Sequence, residues 1–357
     1  MIENYEDLRQ LTHVLGQEKV EQLDAVTQKY PIKISKHYLS LINLNDPQDP
    51  LFKLCIPSLD ELADDGLVDT SNETINTVLR GVQHKYPQTV LLLATNQCAV
   101  YCRHCFRKRM VGVTTRETEP NMEETVDYIR KNKQITNVLI SGGDALLMST
   151  KKIEEYLDNL CSIDHLNYIR FGTRLLVAMP ERIINDKRLI SAFRKYSAKK
   201  QIYIVSQANH PREITDSTKK AAKILSESGV LLRNQSVLLN GVNDNEETLC
   251  ELMETLSTIG IEPYYLFQCR PVKGAKNIFQ VPILKGAQLV DNARKKLDGI
   301  SKSFRYILSH ATGKIEIVGT LEEDKVVFKY HHGSGIDNSK LMFIRKLSHD
   351  QSWLQDL

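Results

Sequence analysis

Residues 90–105, VLLLATNQCAVYCRHC, place three cysteines directly after a short apolar run. The run VLLLAT has the length and composition of a buried β-strand. Cys98, Cys102 and Cys105 follow it with the spacing C-x3-C-x2-C. Because the functional site of a parallel α/β sheet lies at the carboxyl ends of its strands, this loop is the first candidate site.

Five further apolar or β-branched runs follow, and helical patterns separate them. These runs are 137–141, 168–173, 201–206, 232–238 and 263–268. Strands that alternate with helices predict an α/β protein with a parallel sheet covered by helices. Six such units predict a partial (β/α)6 barrel at 86–300, two units short of a closed eightfold barrel. We expect a helical N-terminal extension at 1–85 and a short C-terminal extension of strands and irregular tail at 301–357.

The composition excludes several functional classes. The chain has 357 residues, 41% hydrophobic and 25% charged, which is enough apolar material for a large core. Its 47 basic and 44 acidic side chains are interspersed and give no reason to expect a nucleic-acid partner. No apolar run approaches the roughly 20 residues that a membrane span needs. The N-terminus MIENYEDLRQL lacks a signal-peptide pattern, so we expect a cytoplasmic protein.

Three thiolates on one loop can bind metal in two ways. They can hold three corners of a 4Fe–4S cluster, or they can supply three ligands to zinc. A closed zinc site needs a fourth ligand, and His104 would have to turn inward between two cysteines to provide it. A four-iron cluster with three protein ligands leaves one iron open for catalysis. The spacing therefore favours the cluster, with zinc as the alternative.

The cysteine loop resembles that of the radical S-adenosylmethionine (SAM) enzymes. Ser141-Gly-Gly-Asp144, after the second strand, is similar to the glycine-rich turn of that superfamily. The resemblance implies a 4Fe–4S cluster whose open iron binds SAM, and an electron donor of the flavodoxin or ferredoxin type. It places Gly142, Gly143 and Asp144 at the SAM amino group, where glycine lets the backbone approach the ligand closely. Gln207 and Gln235 fall at positions that face SAM, although Gln207 replaces a histidine.

The resemblance narrows to the lysine 2,3-aminomutase family and covers roughly residues 20 to 320. The matching segments are Tyr86–Pro87, Tyr101–Cys105, Arg107–Arg109, Ser141–Leu146, Asn209–Pro211, Asn234–Leu239, Gly241–Asp244 and Pro263–Tyr265. Such enzymes are isomerases that move an α-amino group to the β-carbon with pyridoxal phosphate (PLP). The resemblance implies that Lys314, in Ala311-Thr-Gly-Lys314, binds PLP, and that Arg107 holds the carboxylate of a small amino acid. Lys85 falls where the family has an arginine near the PLP phosphate.

One departure from the family concerns the substrate. Lysine 2,3-aminomutases hold the distal ammonium with two aspartates, whereas this chain has Arg270 at the first position. It has no acid near the second position, Ile307–Ser309. An arginine repels an ammonium and attracts an anion, so we expect an acidic substrate, glutamate or aspartate. In the competing interpretation, Arg270 pairs with a nearby acid and leaves the pocket for another substrate.

Another departure concerns assembly. Long members of the family carry a C-terminal cysteine-rich zinc segment that crosses to a neighbouring subunit. No cysteine follows Cys269 here, so we expect no zinc clasp, although a homo-oligomer of another kind is compatible with the sequence. A radical SAM enzyme that keeps the scaffold but performs other chemistry, without PLP, is the alternative function.

Overall fold

The structure, a computed structural model, describes residues 4–333 and 341–355. Residues 1–3, 334–340 and 356–357 of the two predicted extensions lie outside the described residues. The described strands are β1 (Asn4–Tyr5), β2 (Ile34–Ser35), β3 (Thr77–Leu79), β4 (Val82–Tyr86), β5 (Thr89–Thr95), β6 (Asn137–Gly142), β7 (Tyr168–Thr173), β8 (Gln201–Ser206), β9 (Leu231–Leu238), β10 (Glu262–Gln268), β11 (Arg305–His310), β12 (Gly313–Leu321), β13 (Lys325–Gly333) and β14 (Met342–Lys346).

Helices alternate with most of these strands. The described α-helices are α1 (Thr12–Leu15), α2 (Gln17–Lys29), α3 (Lys36–Leu39), α4 (Pro50–Cys55), α5 (Glu73–Asn76), α6 (Met122–Lys131), α7 (Thr150–Cys161), α8 (Leu175–Ala178), α9 (Glu181–Ile184), α10 (Lys187–Ser197), α11 (Asp216–Glu227), α12 (Glu246–Thr258), α13 (Lys276–Phe279) and α14 (Ile283–Lys296). Short 3₁₀ helices span Leu8–Leu11, Leu59–Leu62, Ala145–Leu147 and Pro211–Glu213. Among the described helices, none is long and apolar enough to cross a membrane.

Strands β3 to β14 form one sheet in strictly sequential order, and β1 pairs with β2 separately. The pairs from β5 to β11 are parallel, and the pairs on either side of them are antiparallel. All six predicted strands are present, and β11 adds a seventh parallel strand. The predicted α/β fold with a parallel sheet is therefore confirmed.

The N-terminal extension is less helical than predicted. It contains β3 and β4: β3 pairs antiparallel with β4, and β4 pairs antiparallel with β5, so that both strands lengthen the main sheet. The sequence VQHKY of β4 lacks a clear apolar alternation, which is why the strand was not expected. The predicted boundary at residue 86 thus falls at the end of β4, within one continuous sheet.

The parallel strands pack one face of the sheet into the core, and their other, inner face lines a cavity. On β6, Val138 and Ile140 are fully buried, whereas Leu139 and Ser141 point to a cavity on the other side. Helix α7 buries its apolar stripe against the sheet through four large side chains: Ile153, Tyr156, Leu157 and Leu160. The helices therefore cover one face of the sheet, and the opposite face is left for the site.

Candidate active site

A cavity of about 670 Å³ lies on the inner face of the parallel strands. Inward side chains of the strands and the loops after them form its wall. Every site residue predicted from the sequence lines it: Lys85, Cys98, Cys102, Cys105, Arg107, Gly142, Gly143, Asp144, Gln207, Gln235, Arg270 and Lys314. The structure thus brings together residues that are up to 229 positions apart in the chain.

The cysteine loop follows β5 and faces this cavity with three thiols. Burial raises the pKa of Cys98 and raises the pKa of Cys105 to about 11. Bound metal would offset this by stabilising the thiolates. Within the described ranges, no three His, Cys, Asp or Glu side chains are grouped to hold a single metal ion. A 4Fe–4S cluster binds each cysteine at a different iron, so three thiols facing one cavity fit it.

Arg174, which the sequence analysis missed, contacts the cysteine loop directly. It follows β7, and its Nη1 donates a hydrogen bond to Cys102 Sγ at 2.8 Å. Its Nη2 donates to Tyr38 Oη at 2.8 Å and to the carboxylate of Glu213. The signal in the sequence was its place at the carboxyl end of a predicted strand, in Thr173-Arg174, where site residues of such sheets concentrate.

The glycine-rich turn after β6 packs tightly against the cysteine loop. Gly142 has φ +115°, and a Cβ added there would lie 2.3 Å from the carbonyl oxygen of Thr95. A Cβ on Gly143 would lie 2.3 Å from the carbonyl oxygen of Gln97. Contact with the protein's own backbone therefore already requires glycine at both positions, and the predicted reason, close approach to a ligand, stays a prediction.

The third residue of the turn, Asp144, holds neighbouring elements together. Its Oδ1 accepts a hydrogen bond from Thr173 Oγ1 at 2.6 Å, and its Oδ2 accepts one from the backbone N–H of Arg174 at 2.6 Å. Burial raises the pKa of this carboxyl group. The side chain thus fixes the start of the loop that carries Arg174, and its predicted role at SAM stays a prediction.

Lys314 enters the cavity from the start of β12. The segment before it, Ala311–Thr312, is a two-residue hairpin turn, because His310 of β11 pairs with Gly313 of β12. The Lys314 amine lies 4.5 Å from the centroid of the Tyr265 ring. Burial, together with the nearby cations Arg170, Arg270 and Lys85, lowers its pKa to about 7. A largely neutral amine at physiological pH is the nucleophile that attachment of PLP requires, so the residue fits the cofactor.

Two more cations surround this amine. Lys85 Nζ donates a hydrogen bond to the carbonyl oxygen of His310 at 2.9 Å, and burial and Arg270 lower its pKa to about 8. Arg170, another residue missed from the sequence, donates from Nη2 to Asn137 Oδ1 at 2.6 Å. Its Nε is buried without a hydrogen-bond partner in the described part of the chain. This end of the cavity therefore attracts anions.

The two predicted glutamines also line the cavity wall. Gln207 Nε2 lies 3.5 Å from His104 Nε2, and Gln235 lines the cavity from β9. The His104 ring packs edge-on against Phe279, with 5.8 Å between ring centroids. Burial lowers the pKa of His104 to about 3, so the ring is neutral.

Arg107 is anchored by a buried glutamate that the sequence analysis did not single out. Its Nε donates to Glu73 Oε1 at 2.8 Å, and Arg109 Nη2 binds the other oxygen, also at 2.8 Å. Arg107 Nη1 donates to the carbonyl oxygen of Gly142 at 3.3 Å. Glu73 thus occupies one edge of the guanidinium and orients the other edge toward the cavity.

Arg270 faces the same cavity without a carboxylate partner. Its guanidinium bonds to the hydroxyl of Ser71 and, at 2.8 Å, to Ser309 Oγ. No ion pair of Arg270 with an acidic side chain occurs among residues 4–333 and 341–355. Burial lowers its pKa to about 10, which still leaves it charged at neutral pH. The pairing with a nearby acid that the competing interpretation needed is therefore not observed.

Comparisons with known proteins identify the family of the chain. The model of the Radical SAM superfamily matches residues 92–253. A protein of Aquifex aeolicus (strain VF5), provisionally named L-lysine 2,3-aminomutase, is 38% identical over 96% of this chain and 91% of its own length. The L-lysine 2,3-aminomutase of Clostridium subterminale is 37% identical over 84% of this chain and 71% of its own length.

A relative with a different named substrate is about as similar. The glutamate 2,3-aminomutase of Clostridioides difficile (strain 630) is 36% identical over 80% of this chain and 67% of its own length. The relatives thus share a reaction type, amino-group migration, and the cofactors of their family: a 4Fe–4S cluster, SAM and PLP. The chain therefore belongs to the lysine 2,3-aminomutase family of radical SAM enzymes and is an isomerase.

Proposed function

We propose that this protein is a PLP-dependent radical SAM 2,3-aminomutase whose substrate is a short acidic amino acid, glutamate or aspartate. The observation that carries the proposal is the environment of Arg270. This guanidinium faces the cavity and bonds to Ser309 Oγ at 2.8 Å. Ser309 belongs to the segment Ile307–Ser309, near which the second aspartate position of the lysine enzymes falls, so this part of the cavity offers a cation and a hydroxyl instead of two acids.

The spacing of two arginines suits a small dicarboxylate. The guanidinium carbons of Arg107 and Arg270 lie 4.7 Å and 4.4 Å from the centroid of the same Phe106 ring, so they are at most about 9 Å apart. A guanidinium binds a carboxylate through two parallel hydrogen bonds. Arg107 would hold the α-carboxylate and Arg270 the side-chain carboxylate of one substrate. The ammonium of lysine would instead meet Arg270 and be repelled.

The other predicted residues would hold the cofactors. Cys98, Cys102 and Cys105 would bind the cluster, and the cavity wall at Gln207 and Gln235 would face SAM. Bound SAM supplies the radical that removes a hydrogen from the substrate, and bound PLP carries the migrating nitrogen. An electron donor of the flavodoxin or ferredoxin type would reduce the cluster.

The protein itself prepares the site for PLP and substrate. Lys314 presents an amine with a large neutral fraction at physiological pH, because its pKa is about 7, and Lys85 would compensate the charge of the PLP phosphate. Apolar side chains such as Leu91, Leu139 and Val237 line the same cavity and would exclude water from it.

The test is a substrate panel with protein reconstituted anaerobically with iron, sulfide, PLP and SAM. Wild type should convert glutamate or aspartate to its β-isomer far faster than lysine. Arg270→Asp should lose this activity. Arg270→Lys should retain part of it, because lysine keeps the positive charge but lacks the two parallel N–H donors of the guanidinium. A charged bidentate contact contributes about 1.5–3 kcal/mol, so we expect a loss of at least about 10- to 150-fold.

Arg188→Asp is the matched control, because Arg188 is 64% exposed and undergoes the same charge reversal on the surface. Its substrate preference should equal that of wild type. Ready isomerisation of lysine with no turnover of either acid would disprove the substrate proposal. SAM cleavage without isomerisation of any amino acid and without PLP binding would favour other radical SAM chemistry.

A further inference from the structure

The contact between Arg174 and Cys102 places a buried cation at one of the predicted cluster ligands. The Arg174 side chain is only 7% exposed, and its Nη1 lies 2.8 Å from Cys102 Sγ. The other arm of the guanidinium binds Tyr38 and Glu213, which are both completely buried. A charge in this position is poorly screened by water and acts strongly on the sulfur.

Reduction potentials of iron–sulfur clusters depend on charge and on hydrogen bonds to the ligand sulfurs. We propose that Arg174 raises the reduction potential of the cluster through its charged hydrogen bond to Cys102, and that Glu213 limits this effect. The inference rests on the assignment of the cluster to Cys98, Cys102 and Cys105. It makes Arg174 a positioning and tuning residue that acts through a ligand of the cluster.

The direction of the effect follows from charge balance. One electron from an external donor, dithionite in the experiment, converts the 2+ cluster to the 1+ state. The cluster unit then carries one more negative charge, which an adjacent guanidinium stabilises. The carboxylate of Glu213 opposes the guanidinium, so it should lower the potential.

The position of Glu213 does not depend on Arg174 alone. Its Oε2 accepts hydrogen bonds from the backbone N–H groups of Asn209 at 2.5 Å and His210 at 3.0 Å. Its Oε1 accepts one from Tyr38 Oη at 2.7 Å. The carboxylate is therefore fixed by backbone and hydroxyl donors, and Glu213→Gln changes its charge with little change in shape.

The experiment measures the midpoint potential of the reconstituted, SAM-free protein by titration monitored with electron paramagnetic resonance. Arg174→Gln should lower the potential, and Glu213→Gln should raise it. We expect each change to shift the one-electron equilibrium by about tenfold, which is about 59 mV. Arg182→Gln is the control, because Arg182 lies near Arg174 in the chain but pairs with Asp186 at 2.5 Å.

Iron and sulfide counts accompany every titration. Four irons and four sulfides per wild-type chain support the cluster assignment, and a count near zero would disprove that assignment separately. With a full cluster, shifts of opposite sign support the tuning role. Unchanged potentials in both variants, or shifts of the same sign, would overturn it. If Arg174→Gln binds no iron, the result for Glu213→Gln alone decides: a raised potential supports the inference and any other value contradicts it.

Discussion

Lys314 shows how a fold can prepare one side chain for chemistry. An exposed lysine amine is protonated at neutral pH, but burial beside Arg170, Arg270 and Lys85 lowers the pKa of Lys314 to about 7. The same cations would attract the phosphate of PLP. The same cluster of positive charges thus favours loss of a proton from the Lys314 amine and would bind PLP, the anion with which that amine reacts.

Borohydride reduction of the PLP-loaded protein should therefore attach the pyridoxyl group to Lys314. Trapping should be nearly constant above pH 8 and should fall below pH 7, because the neutral fraction of an amine decreases about tenfold per unit well below its pKa. Peptide mapping at several pH values measures this. Lys85→Arg is the control and should still be labelled at Lys314. A label found only on another lysine would refute the assignment.

The individual residues of the site were predictable to different degrees. Cys98, Cys102 and Cys105 stand in one short spacing pattern, so their proximity follows from the sequence alone. Arg174 contacts Cys102 although 72 positions separate the two residues in the chain. Glu73 contacts Arg107 across a separation of 34 positions. No local pattern encodes such contacts, since they exist only after the sheet has assembled.

At the scale of elements, the turn after β6 and the loop after β5 pack as one unit. The backbone N–H of Gly143 donates to the carbonyl oxygen of Thr95 at 2.6 Å, and that of Asp144 donates to Gln97 at 2.8 Å. The glycines permit this approach, because each lacks the atom that would collide. The predicted cluster ligands are therefore positioned by a neighbouring strand as well as by their own loop.

Gly143→Ala tests this coupling. The added Cβ would meet the Gln97 carbonyl at 2.3 Å, so the cysteine loop must shift, at a cost of about 1–3 kcal/mol. We expect lower iron content after reconstitution and easier unfolding by urea. Gly299→Ala is a matched control, because its added Cβ would meet nothing within 4 Å. Equal iron content and stability in both variants would show that the two segments are not coupled.

Strands with many apolar residues could be predicted from the sequence, whereas a polar strand could not. The six runs that predicted strands are strands of the parallel sheet, where one face packs under helices and the other lines the cavity, and apolar residues are frequent in them. Strand β4, VQHKY, is polar and was missed, because its place in the sheet depends on antiparallel pairing with β5. Such pairing is a tertiary interaction that a short polar sequence does not reveal.

At the scale of the whole molecule, the N-terminal extension is tied to the site by buried ion pairs. Glu61 is completely buried and accepts hydrogen bonds from Arg103 Nε at 2.9 Å and Lys108 Nζ at 2.6 Å. In the sequence these two cations lie on either side of Cys105, one of the predicted cluster ligands. Burial opposes ionisation of Glu61, but the cations outweigh it and hold its pKa below the ordinary value of 4.5.

Glu61→Gln should destabilise the whole protein, because it leaves two buried cations without their counter-charge. Breaking a buried pair costs about 3–5 kcal/mol. In wild type this stabilisation should be present above about pH 4.5 and lost as the pH falls through the lowered pKa of the folded state. Urea unfolding of the cluster-free protein measures both effects. Asp60→Asn, an exposed neighbour, should change the unfolding free energy by less than about 0.5 kcal/mol.

The strictly sequential strand order also determines the order in which the sheet can form during translation. Each strand from β4 onward pairs with the strand translated just before it, so the sheet can grow as the chain leaves the ribosome. Lys314 is translated 209 residues after Cys105, which corresponds to about 10–40 s at ordinary rates of elongation. During that interval the three thiols exist without the strand that completes their cavity. We therefore expect the three thiols to be most vulnerable to oxidation by oxygen before Lys314, the last of the predicted cofactor-binding residues, has been translated.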